Sequence, residues 1–216
     1  CKVCALCVEA CPNSARRVAG RTYPAAELVE LLARDEPFYR HSGGGVTLSG
    51  GEPAMFPAYA GKVARGLSER GIHVLIETAG HVDFDGFEEH LLQNVSAVYF
   101  DLKIADPARH ERYVGVDNSR ILGNLARLVA SGVEDLLCRV PLIPGLTDGN
   151  ENLSGLARIL AGLGQKKVAL LPYNPLWVPK ARALGRELKY AHDSFMSEDE
   201  LTRCRSIFED SGIEVV

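Results

Sequence analysis

Short uninterrupted runs of hydrophobic residues alternate along this chain with longer stretches in which hydrophobic positions recur every three or four residues. Short apolar runs between glycine, proline or charged residues are typical of β-strands. Runs without polar interruptions are typical of parallel strands covered on both faces. The pattern predicts strands over residues 46–49, 74–78, 97–103, 136–140 and 168–171, and a short final strand over residues 213–216.

The stretches between the strands have the spacing of helices. Leu28, Leu31 and Leu32 fall on one stripe of a helix predicted over residues 25–35, and Ser197 with Glu200 has the spacing of a capping box that opens a last helix. Strand starts recur roughly every 23 to 39 residues, which is the size of a βαβ unit. The sequence therefore predicts an α/β fold with a parallel sheet. The remaining helices are predicted over residues 58–70, 87–93, 120–131 and 152–163.

Polar residues at the ends of several strands favour a barrel over an open sheet. Barrels collect functional residues from several strands at the carboxyl edge, whereas a doubly wound sheet concentrates them at one switch point. The helix over residues 25–35 has no strand before it, which indicates a missing first strand. We predict a partial (β/α) barrel that lacks its first strand over residues 19–216, and a separate cysteine segment over residues 1–18. The strand-end groups are Gly50-Gly51-Glu52, Glu77-Thr78, Asp101 with Lys103, Arg139, and Tyr173-Asn174.

The first residues form the run C-x2-C-x2-C-x3-C-P, which is the iron–sulfur spacing of bacterial ferredoxins. Structural zinc usually takes two ligand pairs separated by a longer loop, and disulfide frameworks are typical of small secreted chains. The run therefore predicts ligands of a [4Fe–4S] cluster. Cys138 and Cys204 are predicted to be ordinary buried thiols. The predicted ligands are Cys1, Cys4, Cys7 and Cys11.

Composition argues against some classes of function but does not identify the function itself. The chain has 216 residues, of which 46% are hydrophobic and 24% are charged, as in an ordinary globular domain. A net charge of −4 without a basic block argues against a nucleic-acid surface. No apolar stretch reaches membrane-spanning length. We expect no nucleic-acid or membrane partner and a cytoplasmic location.

A glycine-rich turn after the first predicted strand is the second candidate for chemistry. Gly50 and Gly51 allow a ligand to approach the backbone, Glu52 supplies an anion, and Pro53 ends the strand. Neither the P-loop nor the dinucleotide-binding motif is present. The alternative interpretation is an ordinary tight turn with a surface glutamate.

Taken together, these motifs identify a family resemblance. Residues 42–53 (SGGGVTLSGGEP), 100–103 (FDLK), 139–148 (RVPLIPGLTD) and 171–175 (LPYNP) resemble the activating enzymes of glycyl-radical enzymes, which belong to the radical S-adenosylmethionine (radical SAM) superfamily. The resemblance spans nearly the whole chain. It implies a partial barrel of the radical SAM type, preceded by the remnant of a ferredoxin-like [4Fe–4S] module.

The resemblance also implies a binding site for S-adenosylmethionine. The Ser49–Glu52 turn would cradle the amino group of the methionine moiety, and Asp101 with Lys103 would lie beside its carboxylate and the sugar. Glu77, Thr78 and Asp101, with the Tyr99 backbone, resemble a monovalent-cation site in which Glu77 replaces an aspartate. The implied cofactor-binding residues are Ser49, Gly50, Gly51, Glu52, Glu77, Thr78, Asp101, Leu102, Lys103, Arg139 and Asn174.

A purely structural alternative exists for the charged members of this set. Asp101 and Lys103 are two residues apart in a predicted strand, so they point to the same face and could pair with each other. Arg139 could likewise pair with Glu77. Asn174 stands where some relatives have histidine, and the six histidines of the chain show no metal-ligand spacing.

The implied activity is reductive cleavage of S-adenosylmethionine to a 5′-deoxyadenosyl radical, which takes hydrogen from a glycine of a partner enzyme. A flavodoxin or ferredoxin would supply the electron. The catalytic cluster of this family is held by C-x3-C-x2-C; Cys7 and Cys11 begin that spacing, but Ser14 stands at the third position. We expect the catalytic cluster upstream of residue 1, no catalytic residue within this chain, and no activity from the chain alone. The alternatives are an iron–sulfur electron-transfer protein and a radical SAM enzyme that acts on a small molecule.

Overall fold

The computed structural model describes residues 4–18, 20–188 and 190–216, so Cys1 lies outside the described residues. Within these ranges six parallel strands form one sheet in sequential order, and each pairs with the next along the chain. No pairing between the first and last strands closes this described sheet. The predicted α/β fold with an unclosed barrel is confirmed. The strands are β1 (Gly45–Leu48), β2 (His73–Thr78), β3 (Ala97–Asp101), β4 (Leu136–Leu142), β5 (Lys167–Pro172) and β6 (Glu214–Val215).

Helices connect the strands, and each of the six predicted helices is present. Four helices were not predicted because they are short and have no long apolar stripe. One of them had a recognisable start: Asp106 accepts a hydrogen bond from the Arg109 amide at 2.7 Å, and Pro107 follows at the first helical position. The helices are α1 (Leu6–Glu9), α2 (Ala25–Leu32), α3 (Glu36–Ser42), α4 (Pro57–Ser68), α5 (Phe84–His90), α6 (Pro107–Val114), α7 (Ser119–Ala130), α8 (Asn150–Gly162), α9 (Trp177–Ala183) and α10 (Glu198–Glu209).

The helices cover one face of the sheet and leave the other half-open. Ile76, Val98 and Val140 point toward the helices and are fully buried, whereas their neighbours Glu77 and Tyr99 on the opposite face remain partly exposed. The apolar runs predict strands covered on both faces, but the inner face of the described sheet is covered less than the outer one. The reason is that the described sheet does not close on itself, so its inner face stays accessible. None of the helices that the structure describes is both long and apolar enough to cross a membrane.

Candidate functional site

The turn after β1 presents open backbone at the carboxyl edge of the sheet. Gly50 has φ +115°, a conformation that favours glycine, and both Gly50 and Gly51 are exposed. A Cβ atom built at either glycine would meet no atom within 4 Å. The two residues therefore leave room in which a ligand can reach the main chain.

Glu52 points into the protein and connects two loops. Its Oε1 accepts hydrogen bonds from the Thr78 hydroxyl at 2.9 Å and from the Ala54 amide at 3.2 Å, while its Oε2 accepts from the Ala79 amide at 2.9 Å. These bonds tie the turn after β1 to the loop after β2. If this turn cradles an amino group, as the resemblance implies, the Ser49 oxygens and the backbone carbonyls of the two glycines are the acceptors that it offers.

Arg139 on β4 joins the carboxylates of two neighbouring strands. Its Nη1 donates to Glu77 Oε1 at 2.5 Å, and its Nε donates to Asp101 Oδ1 at 2.8 Å. The register makes this contact possible, because Asp101 and Arg139 are directly paired on β3 and β4. The guanidinium carbon also lies 5.3 Å from the centre of the Tyr99 ring. Ser49 completes the network by donating to Glu77 Oε2 at 2.6 Å.

The network keeps Glu77 ionised. The hydrogen bonds from Arg139 and then from Ser49 hold the pKa of Glu77 below its ordinary value, although partial burial acts in the opposite direction. Burial also acts to lower the pKa of Arg139, but its bonds to Asp101 and Glu77 outweigh burial and raise it. Two carboxylates therefore share one guanidinium, which leaves an excess negative charge beside the cleft.

These residues surround one cleft of about 240 Å³ at the carboxyl edge. Most of the residues predicted from the sequence line it, and Arg139 contacts two of the lining carboxylates. Leu102 differs, because its side chain is buried in the core and its amide donates to the Arg139 carbonyl at 2.8 Å. The lining residues are Ser49, Gly50, Gly51, Glu52, Glu77, Thr78, Ala79, Asp101 and Lys103.

The structure shows which of the possible ion pairs among these charged residues form. Arg139 does pair with Glu77, but Asp101 pairs with Arg139 rather than with Lys103. Among the described residues Lys103 forms no ion pair, so its ammonium is available to a ligand in the cleft. A monovalent cation at Glu77 and Asp101 would have to compete with the Arg139 guanidinium, and that cation site stays a prediction.

Asn174 lies outside the cleft. Strand β5 ends at Pro172, and the exposed Asn174 side chain turns back to accept a hydrogen bond from the Leu176 amide at 2.9 Å. This bond shapes the turn that leads into α9. The structure therefore does not bring Asn174 to the other predicted residues, and its contact with a cofactor stays a prediction.

The cysteine segment has one feature that suits a cluster ligand. Cys11 Sγ accepts a hydrogen bond from the Ala15 amide at 3.3 Å, and this bond, followed by that from the Asn13 amide, lowers the pKa of the thiol. A thiolate is the form that binds iron, and amide bonds to sulfur are common around iron–sulfur clusters. Cys4 and Cys7 are exposed. In the part of the chain that the structure describes, no three potential ligands are gathered into a metal site, so the cluster and the boundary after residue 18 stay predictions.

The other two cysteines are buried thiols, as predicted. Cys138 and Cys204 are fully buried, and burial raises the pKa of Cys138 to about 12. Such a thiol is protonated and unreactive at neutral pH.

The sequence did not reveal the buried asparagines that hold the loops of this edge. Asn118, Asn124 and Asn152 are each less than a tenth exposed and bind loop backbone. A signal existed, since Asn124 lies on the same apolar stripe of α7 as Ile121 and Leu128. A polar residue at such a position usually has a specific partner.

Fold and site together define a half-open parallel barrel with charged groups of both signs at its carboxyl edge. Residues 7–156 match the sequence profile of the radical SAM superfamily. This match covers more than half of the chain, and the chain belongs to that superfamily. Members of the family use a [4Fe–4S] cluster and S-adenosylmethionine.

Two curated relatives are similar to most of this chain. The chain is 38% identical over 190 residues to the isethionate sulfite-lyase activating enzyme of Oleidesulfovibrio alaskensis, with 87% of this chain and 60% of the relative covered. It is 33% identical over 208 residues to the 4-hydroxyphenylacetate decarboxylase activating enzyme of Clostridioides difficile, with 96% of this chain and 65% of the relative covered. The chain thus spans less than two thirds of the length of these relatives.

A solved structure supports the same assignment. A domain of the pyruvate-formate lyase-activating enzyme from Bacteroides vulgatus superposes with a TM-score of 0.66 at 26% identity, and 81% of this chain and 98% of that domain are covered. A radical SAM methyltransferase from Sphaerobacter thermophilus has the same TM-score of 0.66 at 21% identity, covering 91% of this chain and 57% of its own, and shares the fold.

Proposed function

We propose that the protein to which this chain belongs cleaves S-adenosylmethionine reductively to a 5′-deoxyadenosyl radical and installs a glycyl radical on a partner enzyme. The family membership supports the cofactor, and the relatives named as activating enzymes support the kind of partner. The names of these relatives suggest isethionate sulfite-lyase, 4-hydroxyphenylacetate decarboxylase and choline trimethylamine-lyase as the first candidate partners.

The observation that carries this proposal is the charge arrangement of the cleft. An amino-acid moiety brings an ammonium and a carboxylate. Lys103 offers the positive charge, Asp101 and Glu77 offer negative charge, and the backbone of the exposed residues Gly50 and Gly51 offers further acceptors. The cleft is therefore complementary to the zwitterionic methionine end of the cofactor.

The protein residues bind and orient, and the cofactors supply the radical chemistry when bound. Lys103 pairs with the carboxylate of the methionine moiety, and Ser49 with the glycine turn holds its ammonium. Arg139 fixes Glu77 and Asp101 so that neither carboxylate swings toward the ligand carboxylate. Cys4, Cys7 and Cys11, together with Cys1, would hold an accessory [4Fe–4S] cluster that relays electrons.

Charge also favours a particular kind of electron donor. Residues 1–22 carry four basic side chains and one acidic side chain, whereas the rest of the chain carries 20 basic and 27 acidic ones. A basic surface beside the cysteine run would attract an acidic carrier such as a flavodoxin or ferredoxin, because opposite charges speed association. Reduced thiols of this density also favour a cytoplasmic location.

The test is anaerobic incubation of the reconstituted protein with S-adenosylmethionine, a reductant and each candidate glycyl-radical enzyme. We expect an organic radical signal by electron paramagnetic resonance on one partner, and only when all components are present. Failure to bind S-adenosylmethionine by calorimetry would favour the electron-transfer alternative. Binding with radical transfer to a small molecule, and to none of the proteins, would favour the other alternative.

A further inference from the structure

The loop that follows β3 places Lys103 at the cleft. Asn152, near the start of α8, forms hydrogen bonds with the backbone of this loop. Asn152 is only 4% exposed. Its Nδ2 donates to the Lys103 carbonyl at 3.0 Å and to the Thr147 carbonyl at 2.8 Å, and its Oδ1 accepts from the Ala105 amide at 2.8 Å. One side chain therefore connects the loop after β3 to the loop after β4.

A second buried asparagine binds the same loop further along. Asn118 donates to the Ile104 carbonyl at 2.9 Å and to the Ala105 carbonyl at 2.8 Å. It does not contact the peptide of Lys103 itself. Asn152 is thus the side chain that holds this peptide directly.

Lys103 depends on this support more than its neighbours in the cleft do. Arg139 is held by two carboxylates through its own side chain, whereas the ammonium of Lys103 has no ion-pair partner among the described residues. A long side chain without a partner keeps its rotational freedom, so its average position is set by the backbone that carries it.

We propose that Asn152 is a positioning residue for Lys103. By fixing the Lys103 peptide against the loop after β4, its amide holds the ammonium at the wall of the cleft, where it meets a ligand carboxylate. The role of Lys103 toward S-adenosylmethionine rests on the proposed function, but the support of Lys103 by Asn152 is independent of it.

The experiment measures how fast the Lys103 amine is acetylated by a water-soluble acetylating reagent, with peptide mass spectrometry as the readout and the other lysines as internal references. In the wild type Lys103 is only partly exposed at the wall of the cleft. In Asn152→Ala the loop loses the bond to the Lys103 carbonyl, so we expect the amine to be more exposed and to react about fivefold faster, a factor typical of the loss of one hydrogen bond in a local opening equilibrium. Asn152→Asp is the second variant. It keeps the size and the acceptor for Ala105 but loses the donor, and we expect the same direction.

Asn124→Ala is the matched control. Asn124 is 7% exposed and donates two bonds, at 2.8 Å to the Gly80 carbonyl and at 3.0 Å to the Val82 carbonyl in the loop after β2. It should lose comparable stability in denaturant unfolding and leave the Lys103 rate unchanged. Unchanged Lys103 rates in both folded Asn152 variants would overturn the proposal. An equal acceleration in Asn124→Ala would overturn it too, because that result indicates general loosening.

A second arm separates this proposal from the proposed function. In the intact protein with its clusters reconstituted, added S-adenosylmethionine should slow the acetylation of Lys103 if Lys103 meets the ligand. Absence of protection contradicts the assigned role of Lys103 toward the cofactor. The ratio of rates between Asn152→Ala and the wild type, measured without ligand, still decides whether Asn152 positions the lysine.

Discussion

Replacing Arg139 by methionine tests the charge network beneath the cleft. The change removes two charge-assisted hydrogen bonds, of 2.5 Å to Glu77 and 2.8 Å to Asp101, and leaves two carboxylates without their shared cation. The Arg139 side chain is 13% exposed, and the side chains of Glu77 and Asp101 are 29% and 24% exposed. Water therefore reaches both acids, and the cost lies between that of a surface pair and that of a buried one.

The magnitude follows from these exposures. A surface ion pair contributes about 0–1 kcal/mol, whereas removal of one partner of a fully buried pair costs about 3–5 kcal/mol. We expect Arg139→Met to lower the free energy of unfolding by about 2 kcal/mol at pH 7. For a domain of this size that corresponds to a decrease in melting temperature of roughly 4–8 °C.

The same substitution should change how stability depends on pH. The pKa of Glu77 is depressed in the folded protein, first by Arg139, from an ordinary value of 4.5. A depressed carboxyl pKa contributes stability that is fully present above the unfolded pKa and is lost as the pH falls through the folded pKa. The stability difference between the wild type and Arg139→Met should therefore be constant above about pH 5 and shrink below about pH 4.

Arg127 provides a matched control. It also contacts two acids, at 2.6 Å from Asp85 and 3.4 Å from Glu88, but its side chain is 47% exposed. Arg127→Met should cost less than about 1 kcal/mol at pH 7. Chemical denaturation followed by circular dichroism measures both variants. Equal losses in the two variants, or a loss in Arg139→Met that persists unchanged at pH 3, would refute the reasoning.

Three further predictions test other parts of the structure. Gly61→Ala should lower the free energy of unfolding by about 2 kcal/mol, because the new Cβ would lie 2.1 Å from a backbone carbonyl oxygen of α5. Gly123→Ala, in open space within α7, should raise the free energy of unfolding by up to about 1 kcal/mol. Denaturant unfolding compares the two variants. In the folded chain without an iron–sulfur cluster, iodoacetamide should modify the exposed Cys4 at pH 8 and leave Cys138, with its pKa of about 12, unmodified; rapid modification of Cys138 would contradict its burial. Glu52→Ala should speed hydrogen exchange of the amides that its carboxylate now binds, since three hydrogen bonds are lost together; unchanged exchange measured by mass spectrometry would show that the two loops do not depend on it.

Much of the site was accessible from the sequence. The turn at Gly50-Gly51 and the polar residues Glu77, Asp101 and Lys103 were placed at the carboxyl ends of strands, and the structure gathers them around one cleft. This worked because parallel strands in sequential order bring all their carboxyl ends to the same edge. Asn174 lies two residues beyond the end of β5 and accepts a hydrogen bond from the Leu176 amide, so its contact with a cofactor stays a prediction.

The amino-acid sequence by itself determined where the strands and the longer helices lie and which polar residues follow the strands, because apolar runs and helical spacing are local properties of the chain. Only the tertiary structure decided which polar atoms meet. Arg139 reaches Glu77 across 62 positions and Asp101 across 38, and the Glu52 carboxylate accepts hydrogen bonds from Thr78 at the end of β2 and from Ala79 in the loop after it. Local periodicity directs a side chain to one face of its strand, but its hydrogen-bond partner depends on register and loop closure between distant segments.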